Sequence, residues 1–160
     1  MQKKLDKLVL QLKKRRLLLS VAESCTGGLV AKLITDHAGA SEYFDSGFVV
    51  YNGQSKHRLL GVSESVVKKS GEVSRHVVTE MAEGAIAHSN AQVALAITGI
   101  AGPGGGTKEK PLGMVWIAWA GKNYQTDSKC FHFEGDRTSI REQAAEAAIS
   151  GMAHFIVKNA

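Results

Sequence analysis

The residues best suited to chemistry in this sequence lie in one short segment, Ala22 to Gly28, which reads Ala-Glu-Ser-Cys-Thr-Gly-Gly. The apolar run before it predicts a buried strand, and the two glycines allow a sharp turn into a helix. Backbone amides at a helix start can bind a phosphate or a developing oxyanion. Ser24 is therefore a candidate nucleophile, with Cys25 as the alternative because a thiol at a helix start is the stronger nucleophile. The candidate binding residues of the turn are Cys25, Thr26, Gly27 and Gly28. From spacing alone, a capping role at a glycine turn explains the same residues equally well.

A serine nucleophile needs a base, because the pKa of its hydroxyl is far too high for the proton to be lost unaided at neutral pH. None of the six histidines stands in a triad arrangement. The segment Tyr51 to Lys56 lies at the carboxyl end of the strand predicted over 47–51. If this strand is parallel to the strand before Ser24, the segment and Ser24 lie at the same edge of the sheet. A lysine desolvated in a pocket can serve as the base, as in Ser-Lys hydrolases. Tyr51 could relay the proton or hold the lysine in place. Taken alone, Lys56 is more simply an exposed helix lysine.

Two further segments suit anion binding. The stretch from Ile97 to Thr107 is rich in glycine and follows a strand, which favours a loop that binds phosphate. It lacks the Lys-Ser/Thr ending of a Walker loop and the helix of a dinucleotide fingerprint, so a flexible connector is the competing interpretation. Arg137 could bind a phosphate or a carboxylate with its planar guanidinium, or pair with Asp136, which could instead cap the last helix. The candidate binding residues here are Thr98, Gly99, Ala101, Gly102 and Arg137.

The histidines are scattered and show no metal-ligand spacing, and the two cysteines form neither a disulfide framework nor a metal knuckle. No metal and no cofactor is therefore expected.

Helical and strand patterns alternate along the chain, with one hairpin near the end. The spacing predicts helices over 4–16, from 26–28 toward 39, 52–61, 63–71, 74–90 and 139–158, and strands over 17–22, 47–51, 93–98, 113–120 and 124–133. This order predicts a single domain over residues 1–160, with a three-layer α/β/α sandwich and a mixed β-sheet.

Net charge is +5, and seven of the twenty basic residues fall within the first sixteen positions. A nucleic-acid contact is one interpretation. The solvated face of an amphipathic helix is favoured, because no aromatic residues interleave the charges. No segment has the length of a membrane span, and the first apolar run is too short for a signal peptide, so a cytoplasmic location is expected.

Five segments in this order resemble the CinA carboxy-terminal domain family, in particular its stand-alone members, the nicotinamide-mononucleotide amidohydrolases of the PncC type. The matching segments are Ala22 to Gly28, Gly47 to Tyr51 with Lys56, Gly71 to Ser74, Ile97 to Pro103 with Lys110 to Gly113, and Phe133 to Arg137.

The resemblance implies a metal-independent deamidation of nicotinamide mononucleotide to nicotinate mononucleotide and ammonia. It implies Ser24 as nucleophile with Lys56 and Tyr51 as activating partners, and a homo-oligomer. The larger amino-terminal domain of full-length CinA proteins is missing, so its activity is expected to be missing too. Gly53-Gln54 stands where relatives commonly have Asn-Glu, and Gly104 where Asp is frequent. A rival hypothesis is a non-catalytic nucleotide- or DNA-binding module associated with competence.

Overall fold

The computed structural model describes residues 1–160 and contains six α-helices and five β-strands. The helices are α1 (Gln2–Arg15), α2 (Leu29–Thr35), α3 (Gly53–Leu60), α4 (Glu64–Ser70), α5 (Arg75–Ala87) and α6 (Arg137–Lys158). The strands are β1 (Leu19–Glu23), β2 (Phe44–Val49), β3 (Val93–Gly99), β4 (Met114–Gly121) and β5 (Tyr124–His132).

The strands form one mixed sheet in the order β2-β1-β3-β4-β5. β1 pairs in parallel with both β2 and β3, whereas β3-β4 and β4-β5 are antiparallel. Glu23, the last residue of β1, lies opposite Val49 at the end of β2 and Ile97 near the end of β3. The segments that follow these three strands therefore meet at one edge of the sheet, as the sequence predicted for the Ser24 and Lys56 segments.

The two faces of the sheet are covered by different helices, which confirms the predicted three-layer sandwich. Large strand side chains such as Leu95 and Ile117 face α1, α2 and α6. The opposite face carries strand alanines, including Ala94 and Ala96, and packs against helices α3 to α5. These small side chains let α5 lie close to the sheet. Helix α5 also lies close to the end of α3, since a Cβ on Gly84 would be 2.0 Å from the Leu60 carbonyl oxygen.

Hydrogen bonds cap three of the helices at their first turn, and they confirm the capping alternative for Asp136. The side chains of Asn52, Ser74 and Asp136 accept from the third residue of the helix that each one begins. Ser63 stands at the N-cap position of α4 but makes no side-chain cap bond, and its hydroxyl lies 2.8 Å from that of Ser65.

Several predicted bounds are wrong by a few residues. β1 begins at Leu19 and not at Leu17, because Arg16 takes a left-handed conformation (φ 54°) that ends α1 first. β2 covers 44–49 and not 47–51. It is an edge strand whose residues alternate between half-buried and exposed. Its first half contains the polar residues Asp45 and Ser46, so no continuous apolar run marks where the strand begins.

The basic N-terminal helix packs as expected through Leu5, Leu8, Val9 and Leu12. Its charges are partly engaged within the molecule, since Lys4 pairs with Glu146 and Lys13 with Glu42. None of the helices combines the length and apolarity needed to cross a bilayer.

Candidate functional site

Ser24 lies immediately after β1, where its backbone amide donates to the Ile97 carbonyl at 3.0 Å and so extends the pairing with β3. The turn then closes when the Gly27 amide donates to the Ser24 carbonyl at 3.0 Å. Gly28 follows with φ 101°, a conformation that side chains disfavour, and begins α2. Ser24 is thus held rigidly at the sheet edge, with 7% of its surface exposed.

The first amides of α2 are not free to bind an anion. The buried Glu23 carboxylate accepts from the amides of Val30 at 2.9 Å and Ala31 at 3.0 Å, and so caps the helix. The expectation that the helix start supplies an anion site is therefore wrong, because α2 begins at Leu29 and its own neighbour satisfies it. The amides of Cys25 and Thr26, in the turn before the helix, donate to no other residue.

Lys56 projects from the first turns of α3 toward the same turn. Its Nζ lies 3.0 Å from the Ser24 Oγ, and the side chain is only 1% exposed. Burial lowers the pKa of Lys56 from the usual lysine value, while the nearby Glu72 carboxylate acts in the opposite direction. The simpler interpretation of Lys56 as an exposed lysine is therefore wrong, and a buried amine in contact with a hydroxyl can act as a base.

Cys25 is a poor alternative to Ser24. Its side chain is buried, and burial raises the pKa of the thiol to about 11. The thiolate is the reactive form, so the thiol is overwhelmingly protonated at neutral pH. A helix start was expected to activate this thiol, but Glu23 already occupies the first amides of α2.

A cavity of about 230 Å³ opens beside Ser24 and is lined by fourteen residues. Nine of the twelve predicted site residues line it, namely Ser24, Cys25, Tyr51, Lys56, Thr98, Gly99, Ala101, Gly102 and Arg137. The other three, Thr26, Gly27 and Gly28, do not. They form the underside of the turn, where the Thr26 hydroxyl is fully buried without a hydrogen-bond partner.

Tyr51 and Arg137 form the outer wall of the cavity. Arg137 donates from Nη2 to the Tyr51 hydroxyl at 2.8 Å and from Nη1 to the Gly102 carbonyl at 2.7 Å. The hydrogen bond to the Gly102 carbonyl joins α6 to the glycine-rich loop. Tyr51 forms no hydrogen bond with Ser24 or Lys56, so the expected role as a direct relay lacks the necessary contact. Its hydroxyl faces the guanidinium because the chain leaves β2 at Val49, which places Tyr51 at the exposed rim.

Two charged residues near the site were not predicted as site residues. Arg141, one turn after Arg137 on α6, donates to the carbonyls of Cys25 at 3.0 Å and Thr26 at 2.9 Å. Glu72 lines the cavity. The spacing of four residues that places both arginines on one helix face was a usable signal for Arg141. Glu72 stands in the Gly71 to Ser74 segment that carries the resemblance, which was a usable signal, but no role was assigned to it.

No group of three or more His, Cys, Asp or Glu side chains is placed to hold a metal ion.

Comparison with known proteins places this site in a family. The model of the CinA C-terminal domain family matches residues 1–156. The nicotinamide-nucleotide amidohydrolase PncC of Enterobacter agglomerans is 50% identical over 138 residues, which are 86% of this chain and 84% of that protein. A CinA-like protein of Akkermansia muciniphila is 50% identical over 133 residues, or 83% of this chain, but the chain spans only 32% of its length.

Solved structures agree with the fold. The crystal structure of the competence/damage inducible protein CihA from Agrobacterium tumefaciens superposes with a TM-score of 0.92 at 37% identity, covering 99% of this chain and 94% of that one.

Proposed function

Because the chain belongs to the CinA C-terminal domain family, we propose that it hydrolyses the carboxamide of nicotinamide mononucleotide to nicotinate mononucleotide and ammonia. A relative of similar length carries the name nicotinamide-nucleotide amidohydrolase. The observation that carries the proposal is the buried contact of 3.0 Å between Lys56 Nζ and Ser24 Oγ beside a cavity. A serine paired with a desolvated amine suits acyl transfer from an amide.

In the first half-reaction, neutral Lys56 accepts the Ser24 proton while Oγ attacks the carboxamide carbon. The resulting oxyanion takes a hydrogen bond from the backbone amide of Cys25, which lines the cavity and donates to no other residue, and this bond contributes about 3 kcal/mol of transition-state stabilisation. Protonated Lys56 then gives its proton to the departing nitrogen, which leaves as ammonia. An ester between Ser24 and the nicotinoyl group remains.

In the second half-reaction, Lys56 removes a proton from a water molecule that attacks the ester carbon. Collapse of this second intermediate returns the proton to Ser24 and releases the carboxylate product. The lysine thus acts first as base, then as acid, and again as base. No step in this scheme requires a metal or a cofactor, because Lys56 supplies every proton transfer.

The phosphate and ribose of the substrate are assigned to the outer part of the cavity. Arg137 lies there beside Gly102 of the glycine-rich loop, and its guanidinium suits a phosphate. Thr98, Gly99 and Ala101 continue the same wall. Tyr51 is assigned to this end of the site as the partner of Arg137 and not to proton transfer.

The test of this function is ammonia release by the purified wild-type chain from three amides: nicotinamide mononucleotide, free nicotinamide and NAD. We expect turnover of the mononucleotide to exceed that of the other two, because it alone of the three joins the amide to a terminal phosphate that Arg137 could bind. Turnover confined to another amide would reject this substrate. No turnover with any of the three, together with salt-dependent binding of DNA, would favour the non-catalytic alternative.

Activity is expected to rise with pH along an acid limb that lies below the usual titration range of lysine. Lys56 must be neutral to accept the serine proton, so the active fraction grows as the pH rises through its pKa, which burial lowers. The charged groups that act on it are Glu72, which opposes the lowering, and the thiol of Cys25. Both kcat and kcat/KM should be recorded from about pH 5 to 10, since the substrate phosphate titrates near pH 6 and affects binding. A kcat that falls as the pH rises across this range would contradict Lys56 as base.

Arg141 is proposed to position the nucleophile turn. Its two hydrogen bonds to the carbonyls of Cys25 and Thr26 hold the turn whose Cys25 amide is proposed to face the developing oxyanion. Arg141→Gln is expected to lower kcat about tenfold with little change in KM, because these bonds matter most when charge develops. Steady-state ammonia release measures both constants.

The matched control is Arg58→Gln, which removes an exposed helix arginine that makes no hydrogen bond or ion pair. Arg141→Lys should restore part of kcat, since a lysine can reach one carbonyl but not both. A change in KM alone would place Arg141 in substrate binding instead.

A further inference from the structure

Glu72 is the only acidic side chain among the fourteen residues that line the cavity. It follows α4 and stands two residues before the Ser74 cap of α5. The proposed mechanism assigns Glu72 no role in a chemical step. The cations of the same cavity are Lys56, which is buried against Ser24, and Arg137 at the rim.

The backbone and the carboxylate of Glu72 are placed by different contacts. The Thr98 hydroxyl donates to the Glu72 carbonyl at 2.9 Å and ties this segment to the end of β3. The side chain reaches toward the start of α3, where a Cβ on Gly53 would lie 3.3 Å from the Glu72 Oε1. The same Cβ would lie 2.9 Å from Val67 Cγ1, so glycine at position 53 leaves room for both side chains.

Glu72 is an exposed residue at the wall of the cavity, and its carboxylate has no partner in the protein. It makes no ion pair, and only its backbone carbonyl takes part in a hydrogen bond. A carboxylate that lines a cavity and is satisfied by no protein group is available to a ligand of opposite charge. The ligand of the proposed reaction carries such a charge, because its ring nitrogen is quaternary. That nitrogen lies meta to the carboxamide, so a ring that presents its amide to Ser24 brings the positive charge into the same cavity.

We propose that Glu72 is a specificity-determining residue that favours amides on a cationic ring over the same amides on a neutral ring. This inference rests on the proposed function and refines it, since it names the feature of the substrate that this wall of the cavity recognises. Arg137 and the glycine-rich loop select for the phosphate, and Glu72 selects for the charge on the ring.

The test must separate the effect of Glu72 on substrate binding from its effect on Lys56. Its charge also acts on Lys56, so a change at position 72 affects turnover through the base as well as through the substrate. Binding to an inactive enzyme avoids this problem. A comparison of two ligands that differ in ring charge cancels any effect of Lys56 that both ligands share.

The experiment uses calorimetric titration of Ser24→Ala with nicotinamide mononucleotide and with its reduced form. The reduced form keeps the phosphate, ribose and carboxamide but has a neutral dihydropyridine ring. The quantity of interest is the ratio of the two dissociation constants, measured with and without a second substitution, Glu72→Gln. We expect Glu72→Gln to reduce the preference for the cationic ligand about fivefold, mainly by weakening its binding.

The control substitution is Glu109→Gln in the same Ser24→Ala background. Glu109 is exposed on the loop between β3 and β4, makes no hydrogen bond or ion pair and does not line the cavity. It removes the same charge from the protein and should leave the ratio unchanged.

A ratio that Glu72→Gln does not change would overturn the proposal, as would an equal change caused by Glu109→Gln. Failure of the underlying function has a different signature. In that case the wild-type chain releases no ammonia from nicotinamide mononucleotide, and the Glu72 proposal falls with it. If the wild-type chain does release ammonia and the ratio stays constant, only the role of Glu72 is rejected.

Discussion

Ser24→Ala is expected to lower ammonia release from nicotinamide mononucleotide by about 10⁴-fold or more while changing the dissociation constant by less than about threefold. The hydroxyl makes the acyl bond, and no neighbouring group can replace it. Lys56 is already assigned as its base, and the thiol of Cys25 is held protonated by burial. Ligand affinity survives because the cavity walls and Arg137 are untouched. Ammonia release and calorimetric titration measure the two effects separately.

Cys25→Ala is the matched control, since it removes the adjacent nucleophilic side chain from the same turn. It should keep turnover within about threefold and lose only about 1 kcal/mol of unfolding free energy, as a small buried side chain is shortened. The opposite result, an active Ser24→Ala variant and an inactive Cys25→Ala variant, would identify the Cys25 thiol as the nucleophile. Sensitivity of the wild type to thiol alkylation would point the same way.

Lys56→Met is the second substitution with a large expected effect, because it removes the base and keeps the length of the side chain. Turnover should fall about 10³-fold, within the range that proton transfer by a positioned side chain contributes. The fold should be retained, and the unfolding free energy should rise by about 1 kcal/mol, because a methionine buries the same volume without desolvating an amine. Ammonia release and thermal unfolding of one preparation record both effects.

The pH dependence of the stability gain gives an independent check on the state of Lys56. In the folded chain burial lowers the pKa of this lysine, so folding at neutral pH must displace a proton or bury a charge. That cost is present below the usual lysine pKa and disappears as the pH rises above it. The gain from Lys56→Met should therefore be largest near neutral pH and shrink toward about pH 10.5.

Lys3→Met serves as the control, because Lys3 is exposed on α1 and makes no ion pair. It should change neither turnover nor the pH dependence of stability. A Lys56→Met enzyme that retains more than about a tenth of wild-type turnover would exclude this lysine as the base. A large loss of stability in that variant would instead indicate a structural role for the ammonium group.

Local pattern determined much of the architecture. The spacing of apolar residues predicted the buried face of α1, and a cap of the last helix was one of the roles expected for Asp136. These features depend on neighbours a few positions apart, so a single sequence contains them. The same reasoning failed at β2, because an edge strand needs no continuous apolar run.

The ordered motifs of the sequence also determined the family and the residues that carry its proposed chemistry. Ser24, Lys56 and the glycine-rich loop could be named because each stands in a recognisable segment that follows a predicted strand. The sequence could not determine how these segments meet. Ser24 and Lys56 are thirty-two positions apart and come into contact only because β1 and β2 are parallel neighbours.

The nature of the Ser24 segment itself was decided by the tertiary structure. Sequence alone indicated a helix start with free amides, but the Glu23 side chain folds back and occupies them. Arg141, from the other end of the chain, then holds the turn that remains. Burial lowers the pKa of Lys56 and raises the pKa of the Cys25 thiol, since the desolvation that shifts a pKa depends on the whole surrounding fold. Sequence therefore determined which residues are present at the site, and packing determined which of them can react.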